Sequence, residues 1–323
     1  MSDDPMQKLV RFAAPTLDPT EVCEAAGVDR EVGDRLWRAL GFPDVEEGVR
    51  AYTDEDARAL RLAAEGLDEL EPEEREDVLR LMLQEARVMG AHLAALAETE
   101  LDAIAALSER GVRNRLVEEA VERGLAESDL GWLIFYALRR QLDAVARRHS
   151  ETGASDATQQ HELAVGFVDL SNFTSFSDGS ELGDIAELLD RFESLAFDVI
   201  VEAEGRVVKL IGDEVMFVCP DPGDAVRAAL GILEGAPTRD VPPARGGIAH
   251  GRALRQGGDY FGPPVNRASR ITQAAAPNTV VVDDGMRQRL SGADALGLSL
   301  EPLGERPLKG LGPTELWRVG RST

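Results

Sequence analysis

The sequence has few cysteines, few basic residues and no long apolar run. Its 323 residues contain two cysteines, Cys23 and Cys219, which lie far apart and belong to no CxxC or Cys/His cluster. Such spacing indicates neither a disulfide framework nor a zinc site. The sequence also shows no signal peptide and no uncharged apolar stretch of membrane-spanning length. We therefore expect a cytoplasmic protein without a membrane span.

Acidic residues outnumber basic ones. The chain has 59 Asp and Glu residues and 35 Lys and Arg residues, which give a formal net charge of −24. The imbalance matters for the first 60 residues, which look like a helix-turn-helix and are weakly similar to the DNA-binding heads of MerR-type regulators. Those residues carry 7 basic and 14 acidic side chains. Phosphate contacts need the opposite sign of charge, so we expect no nucleic-acid partner.

A change of pattern divides the chain into two halves. Residues 1–149 have helical patterns, residues 150–160 are small and polar, and residues 161–323 alternate strands and helices. The length is sufficient for two domains with separate cores. We predict the α+β class, with an all-helical N-terminal domain over 1–149, a linker over 150–160 and an α+β domain over 161–323.

The helical half begins with short, well-delimited helices. We predict helices over 19–26 and 30–40, and Thr53 is the expected N-cap of the helix that follows. Apolar residues near a 3.6-residue period predict that a longer helix, over 73–107, is mostly core along one face.

A second long helical stretch is predicted over 114–146. Gly124 and Gly131 interrupt it and are expected to mark a bend or a helix end. The segment 132–136 is apolar nearly all round, which predicts burial on more than one side. Intradomain core is the expected environment of this segment, and a subunit contact or a lipophilic pocket are the alternatives.

An apolar hairpin with two charged residues stands out in the second half. Residues 207–211 and 215–218 have strand-like sequences, and Gly212-Asp213 between them is a pair typical of tight turns. Lys209 and Asp213 are unusual in such an apolar run. Taken alone, Asp213 could simply form the turn and Lys209 could extend to solvent.

Other polar residues accompany this hairpin. Asp169 ends an apolar strand upstream, and two aspartates at neighbouring strand ends, with phosphates completing the shell, form the oxygen-rich site that Mg²⁺ or Mn²⁺ prefers. Downstream, Asp259 is predicted to lie in a loop. Asn266 and Arg270 are four residues apart and therefore share one face of a helix that begins near a proline pair.

These residues resemble the class III nucleotidyl cyclases, and among them the adenylyl cyclases. The matching positions are, in chain order, Asp169, Lys209, Asp213, Asp259, Asn266 and Arg270. The resemblance covers residues 162–319 and implies a ferredoxin-like catalytic domain of the class III cyclase type. One departure is Asn172, which stands where many members have glycine, although asparagine tolerates a left-handed backbone better than most residues.

The resemblance also implies roles for the first four of these positions. Asp169 and Asp213 would hold two divalent metal ions, Mg²⁺ or Mn²⁺. Lys209 and Asp259 would bind the purine of ATP, because adenine N1 accepts a hydrogen bond and the adenine amino group donates one.

The other two positions, Asn266 and Arg270, would act on the ribose and on the transition state. The resemblance further implies a homodimer whose sites are shared between two chains. The helical half is similar to the regulatory domain of certain actinobacterial adenylyl cyclases, which implies regulation by that domain.

Two alternatives stay open. Residues 211–215, Ile-Gly-Asp-Glu-Val, are faintly similar to the Gly-Gly-Asp-Glu-Phe turn of diguanylate cyclases, but the doubled glycine is missing and Asp259 and Asn266 stay unexplained. The second alternative is a catalytically silent, nucleotide-binding regulator with an acidic helix-turn-helix head. Lys309 lies where some relatives place a phosphate-contacting lysine, whereas a lone lysine before glycine is usually a solvated strand end.

Overall fold

The computed structural model describes residues 14–112, 114–151, 160–290 and 297–322 and divides the chain into two compact units, Met1–Ser155 and Asp156–Thr323. The first unit is helical, with one isolated bridge between Leu17 and Tyr52, and the second combines helices with a mixed sheet. The predicted α+β class is confirmed. Most of the predicted linker, 150–160, lies outside the described residues. Across the ranges described, no helix has both the length and the apolar character needed to cross a membrane.

The helices of the first unit begin and end at capping residues. Asp18 accepts from Thr20 N and Glu21 N, Gly27 ends the same helix at a φ of 71°, and Thr53 caps a helix together with Asp56. The two short helices and the Thr53 cap are therefore confirmed. The bounds are α1 Pro19–Ala26, α2 Arg30–Ala39, α3 Asp54–Ala63, α4 Pro72–Glu109, α5 Arg115–Arg123 and α6 Asp129–Glu151.

Helix α4 is buried along a narrower face than its periodicity predicts. Leu79, Leu83 and Ala86 join the core formed by α1, α2 and α3, whereas Leu81 and Leu93 are 64% and 51% exposed. The prediction that most of the apolar stripe is core is wrong. Residues 91–99 are exposed all round, because the covering helices reach only the N-terminal part of α4.

The exposure of the apolar segment of helix α6 contradicts a second prediction. Trp132 and Phe135 are each 62% exposed, and Leu133 and Tyr136 are also exposed, so this segment is not intradomain core. Trp132 stacks on Tyr136 with ring centroids 5.3 Å apart, which covers only part of either ring. Gly131 lies inside α6 without breaking it, whereas α5 ends at Gly124 in the left-handed region, so one of the two predicted interruptions is correct.

The second unit is built on one sheet with the strand order β2-β3-β1-β4-β6-β8-β7, and β5 pairs with β4 beside this path. Neighbouring strands are antiparallel except β4 and β6, which are parallel. The strands are β1 Gln160–Leu170, β2 Arg206–Ile211, β3 Glu214–Cys219, β4 Ala244–Gln256, β5 Asp259–Phe261, β6 Val280–Asp283, β7 Leu298–Leu308 and β8 Gly312–Arg321. The helices are α7 Phe173–Ser177, α8 Leu182–Glu202, α9 Pro222–Gly235, α10 Pro263–Ala274 and α11 Asp284–Arg289.

Both faces of this sheet are buried, and each face carries its own core. Along β1, Ala164 and Val168 pack with α8 and α9, whereas Val165 and Phe167 pack with α10. Side chains alternate between the faces of a strand, so Asp169 projects to the same face as Phe167. The face that carries α10 is therefore the one on which the predicted site residues can meet.

Helix α10 approaches the sheet closely at Gly247 of β4. A Cβ atom there would lie 2.7 Å from Ala268 O and closer still to Thr272 N, so only glycine fits. Thr272 of α10 donates from its hydroxyl to Phe167 O of β1 at 3.4 Å, and Arg267 of α10 pairs with Asp283 of β6 at 3.0 Å. These contacts fix the position of α10 relative to β4 and β6.

Candidate active site

Asp169 and Asp213 are brought together at one end of the sheet. Asp169 is the last residue but one of β1. Asp213 follows Gly212, whose φ of 62° permits the tight turn between β2 and β3 that the sequence predicts. Leu170 N donates to Asp213 O at 3.1 Å, which ties the two strand ends together through the main chain. Burial, and then the negative charge of Asp169, raise the pKa of Asp213.

Two further charged residues, which the sequence reasoning missed, complete this cluster. Glu214 lies opposite Asp169 in the β1–β3 register, and burial followed by the charges of the two aspartates raises its pKa to about 7. Arg245 donates to Asp169 Oδ2 from Nε at 2.9 Å and from Nη2 at 2.6 Å. Glu214 could have been noticed as the neighbour of Asp213, but Arg245 is 76 residues from its partner and has no local signal.

The donor set of this cluster suits a hard divalent cation. Asp169 and Asp213 offer carboxylate oxygens, the ligands that Mg²⁺ and Mn²⁺ prefer, and their partial burial leaves the cation less competition from water. The charge of Asp169 adds to the effect of burial in raising the pKa of Asp213, and a bound cation would offset that negative charge. The guanidinium of Arg245 offsets part of it in this structure.

Lys209 and Asp259 form a second charged group on the same face of the sheet. The Lys209 Nζ atom donates to Asp259 Oδ2, and Tyr260 N donates to Asp259 Oδ1 at 2.7 Å. The two side chains are 40% and 26% exposed, so both remain accessible to a ligand. The structure thus places together the two residues expected to bind the purine. Asp259 begins β5 instead of lying in a loop.

Asn266 and Arg270 lie on α10, four residues apart and therefore on one face of that helix. Asn266 is exposed, and Arg270 donates to Gln273 Oε1 at 3.0 Å. Within the described ranges of this single chain, no hydrogen bond or ion pair joins either residue to Asp169 or Asp213. The helix begins after Gly262, whose φ of 137° requires glycine, at the predicted proline pair.

The remaining positions singled out in the sequence have simple environments. Asn172 adopts a φ of 67° and precedes α7, which is the left-handed conformation that asparagine tolerates. Its backbone is therefore the same as a glycine could supply there. Lys309 is exposed in the turn between β7 and β8.

The chain is 33% identical to an adenylate cyclase of Streptomyces coelicolor, over 98% of this chain and 89% of the relative. It belongs to the adenylate cyclase family. An adenylate cyclase of Streptomyces griseus is 30% identical over 99% of this chain, and a pH-sensitive adenylate cyclase of Mycobacterium tuberculosis is 32% identical over 93%. The predicted relationship to actinobacterial adenylyl cyclases is confirmed.

Solved structures of cyclase domains also match this member of the adenylate cyclase family. The adenylyl cyclase CyaB from P. aeruginosa is 21% identical, with a TM-score of 0.47 over 52% of this chain and 98% of that one. A guanylate cyclase domain from Catenaria anguillulae, solved in complex with GTP, is 23% identical with a TM-score of 0.46 over 51% and 99%. No protein-family model matches the chain.

Proposed function

We propose that this chain converts ATP to 3′,5′-cyclic AMP and pyrophosphate. The observation that carries the proposal is the placement of a carboxylate pair, Asp169 and Asp213, and a Lys209–Asp259 pair on one face of one sheet. A nucleotide needs one region for its base and another for its phosphates, and these two groups supply both. Membership of the adenylate cyclase family supports the same reaction.

Selection of adenine follows from hydrogen-bond polarity. Lys209 donates to adenine N1, which accepts, and Asp259 accepts from the adenine amino group, which donates. Guanine presents a donor and an acceptor at those places, so GTP would leave both side chains unpaired. An unpaired polar group in a partly buried site costs about 1–3 kcal/mol, and two of them would give strong preference for ATP.

Asp169 and Asp213 are the proposed ligands of two divalent ions, Mg²⁺ or Mn²⁺, which when bound would lower the pKa of the ribose 3′-hydroxyl and neutralise the triphosphate. The 3′-hydroxyl loses its proton to solvent, its oxygen forms a new ester bond to the α-phosphorus, and the bond from that phosphorus to the bridging oxygen breaks as pyrophosphate leaves in line. Arg270 offsets the negative charge that develops on the phosphoryl oxygens, and Asn266 orients the ribose.

The proposed active form is a homodimer with shared sites. Among the residues that the structure describes, neither Asn266 nor Arg270 forms a hydrogen bond or ion pair with the aspartates of its own chain, so we propose that they act at the aspartates of a second chain. One chain holds one full set of the six residues, and an arrangement with two-fold symmetry then gives two equivalent sites. The helical domain, 1–149, is proposed to regulate the catalytic domain, 161–323. The cytoplasm is the proposed location, because both cysteines are free and buried.

The reaction is tested by turnover of ATP and GTP in parallel by the full chain, with Mg²⁺ and with Mn²⁺. We expect cyclic AMP from ATP, and Asp213→Ala should lose it while keeping the far-UV circular dichroism of the parent. Absence of any cyclic nucleotide from the folded full chain would reject the enzyme and favour a silent nucleotide-binding regulator. Dinucleotide products from GTP would favour a palm-type cyclase.

Sharing of the site is tested by mixing inactive variants. Asp213→Ala chains mixed with Asn266→Ala chains should regain part of the activity, because one of the two sites in a mixed dimer keeps every residue. The matched control mixes Asp213→Ala with Asp169→Ala chains, whose defects fall in the same half of the site. Rescue in both mixtures, or in neither, would contradict a shared site.

A further inference from the structure

Arg206 contacts the short strand that carries Asp259, and the proposed reaction does not use it. It is the first residue of β2, three positions before Lys209. Side chains three apart on a regular strand point to opposite faces. A register shift between Val207 and Lys209 changes this, since Arg206 pairs with Val218 and Lys209 pairs with Met216.

Val218 and Met216 belong to the same core, on the face of the sheet that carries α10. The bulge in β2 therefore turns Arg206 and Lys209 toward the same side. Both residues reach β5 from there, Lys209 at Asp259 and Arg206 at the residues on either side of Asp259.

Arg206 contacts the residues immediately before and after Asp259. Arg206 Nη2 donates to Gly258 O at 3.3 Å, and its Cζ atom lies 5.3 Å from the centroid of the Tyr260 ring. Tyr260 is buried in the core beneath α10, so its ring is a fixed platform. A guanidinium over an aromatic face at this distance is within the range of a cation–π interaction.

Strand β5 is short and is otherwise held by the buried Tyr260 ring and by the Lys209–Asp259 ion pair. It consists of Asp259–Phe261, pairs with β4 alone, and follows a two-residue turn in which Gly257 and Gly258 have φ of 61° and 81°. A glycine turn and a three-residue strand at the side of a sheet are expected to shift easily. In a chain with 59 acidic side chains, the described residues include no carboxylate in an ion pair with Arg206. Its contacts with β5 are thus its principal ones.

We propose that Arg206 is a positioning residue for base selection, which holds β5 so that the Asp259 carboxylate stays beside Lys209 and accepts from the adenine amino group. The proposal rests on the proposed function and names a residue outside the six that carry it. Loss of Arg206 leaves Asp259 in the sequence but no longer fixed at the place where it distinguishes adenine from guanine.

The test compares Arg206→Ala, Arg206→Lys and Arg252→Ala in the full chain. Arg252 is an exposed arginine on β4 whose side chain forms no hydrogen bond or ion pair with another described residue, which makes it a matched control for loss of one positive charge near the β4–β5 hairpin. The measured quantity is kcat/KM for ATP divided by kcat/KM for GTP. Titration calorimetry with ATP and with GTP gives the corresponding ratio of affinities without turnover.

We expect Arg206→Ala to lower this ratio about three- to tenfold, the effect of weakening one hydrogen bond, mainly through KM for ATP. Arg206→Lys keeps a cation over the Tyr260 ring and should recover part of the ratio, whereas Arg252→Ala should leave it unchanged. An unchanged ratio in a folded Arg206→Ala protein would overturn the proposed role of Arg206 and would leave the proposed function standing. An equal fall in Arg252→Ala would show a general charge effect and overturn it as well.

The same experiment separates this proposal from the proposed function. A parent chain that makes no cyclic nucleotide rejects the proposed reaction, and the calorimetric ratio then still decides whether Arg206 governs the choice of base. If Arg206→Ala does not fold, Arg206→Lys and Tyr260→Leu test the same contact from its two sides. A ratio unchanged in both would refute the proposal.

Discussion

Replacement of Gly247 by alanine should displace α10, the helix that carries Asn266 and Arg270. The added Cβ atom would lie 2.7 Å from Ala268 O and nearer still to Thr272 N, and both are main-chain atoms of the helix. Ordinary contact requires about 3.5 Å, so α10 or β4 must move by about 1 Å. Overpacking of this kind costs about 1–3 kcal/mol of unfolding free energy, and a catalytic group misplaced by 1 Å costs about 100-fold in rate.

The neighbouring glycine provides the control. A Cβ atom at Gly246 would meet Val168 Cγ2 at 3.4 Å and Phe167 O at 3.5 Å, which is ordinary contact on the opposite face of the sheet. We would measure urea unfolding and kcat for both variants. Gly247→Ala should lose stability and most of its turnover, whereas Gly246→Ala should remain close to the parent. Equal stability and equal kcat in the two variants would refute the argument that close packing at Gly247 sets the position of α10.

Three further predictions concern buried and charged groups. Burial raises the pKa of Cys219 to about 12 and also raises that of Cys23, so we expect a thiol reagent at pH 8 to leave both unlabelled in the native protein and to label both after unfolding. The pKa of Glu214 is raised from 4.5 to about 7, so between these two pH values the folded state holds a proton that the unfolded state releases. The free energy of unfolding therefore decreases as the pH rises from 4.5 to about 7. The melting temperature of the metal-free protein should fall less steeply with rising pH in Glu214→Gln than in the parent. An equal pH dependence in the two proteins would contradict the raised pKa of Glu214. Arg245→Ala removes two charge-assisted hydrogen bonds to Asp169 and should cost about 1.5–3 kcal/mol without metal. Mn²⁺ should then raise the melting temperature of Arg245→Ala more than that of the parent, because the cation replaces the lost positive charge.

The parts of the fold that the sequence predicts best are those with local signals. The turn at Gly212 and the helix that begins at Pro263 are encoded within a few residues, and the structure has them where they are expected. Strand β7 has a weaker local signal, because Pro302 and Gly304 interrupt its sequence. The structure accommodates both residues, since β7 is the last strand of the sheet and a bulge lies between them.

The features that the sequence did not predict depend on distant partners. Periodicity identifies an apolar helix face but not what covers it, which is why Leu93 and Trp132 were expected to be buried and are exposed. The same limit applies to the candidate site. Asp169 can be recognised from its strand, whereas its ion pair with Arg245 depends on the β1–β4 register.

The hydrogen bond from Leu170 N to Asp213 O has a consequence for how this site can change during evolution. The spacing between the two carboxylate-bearing positions is held by main-chain atoms, which every amino acid possesses. Exchange of either aspartate for asparagine or glutamate would therefore alter the charge or reach of a proposed metal ligand while the distance between the two backbones stays the same. The proposed metal site can thus be modified one side chain at a time on a scaffold that does not need to be rebuilt.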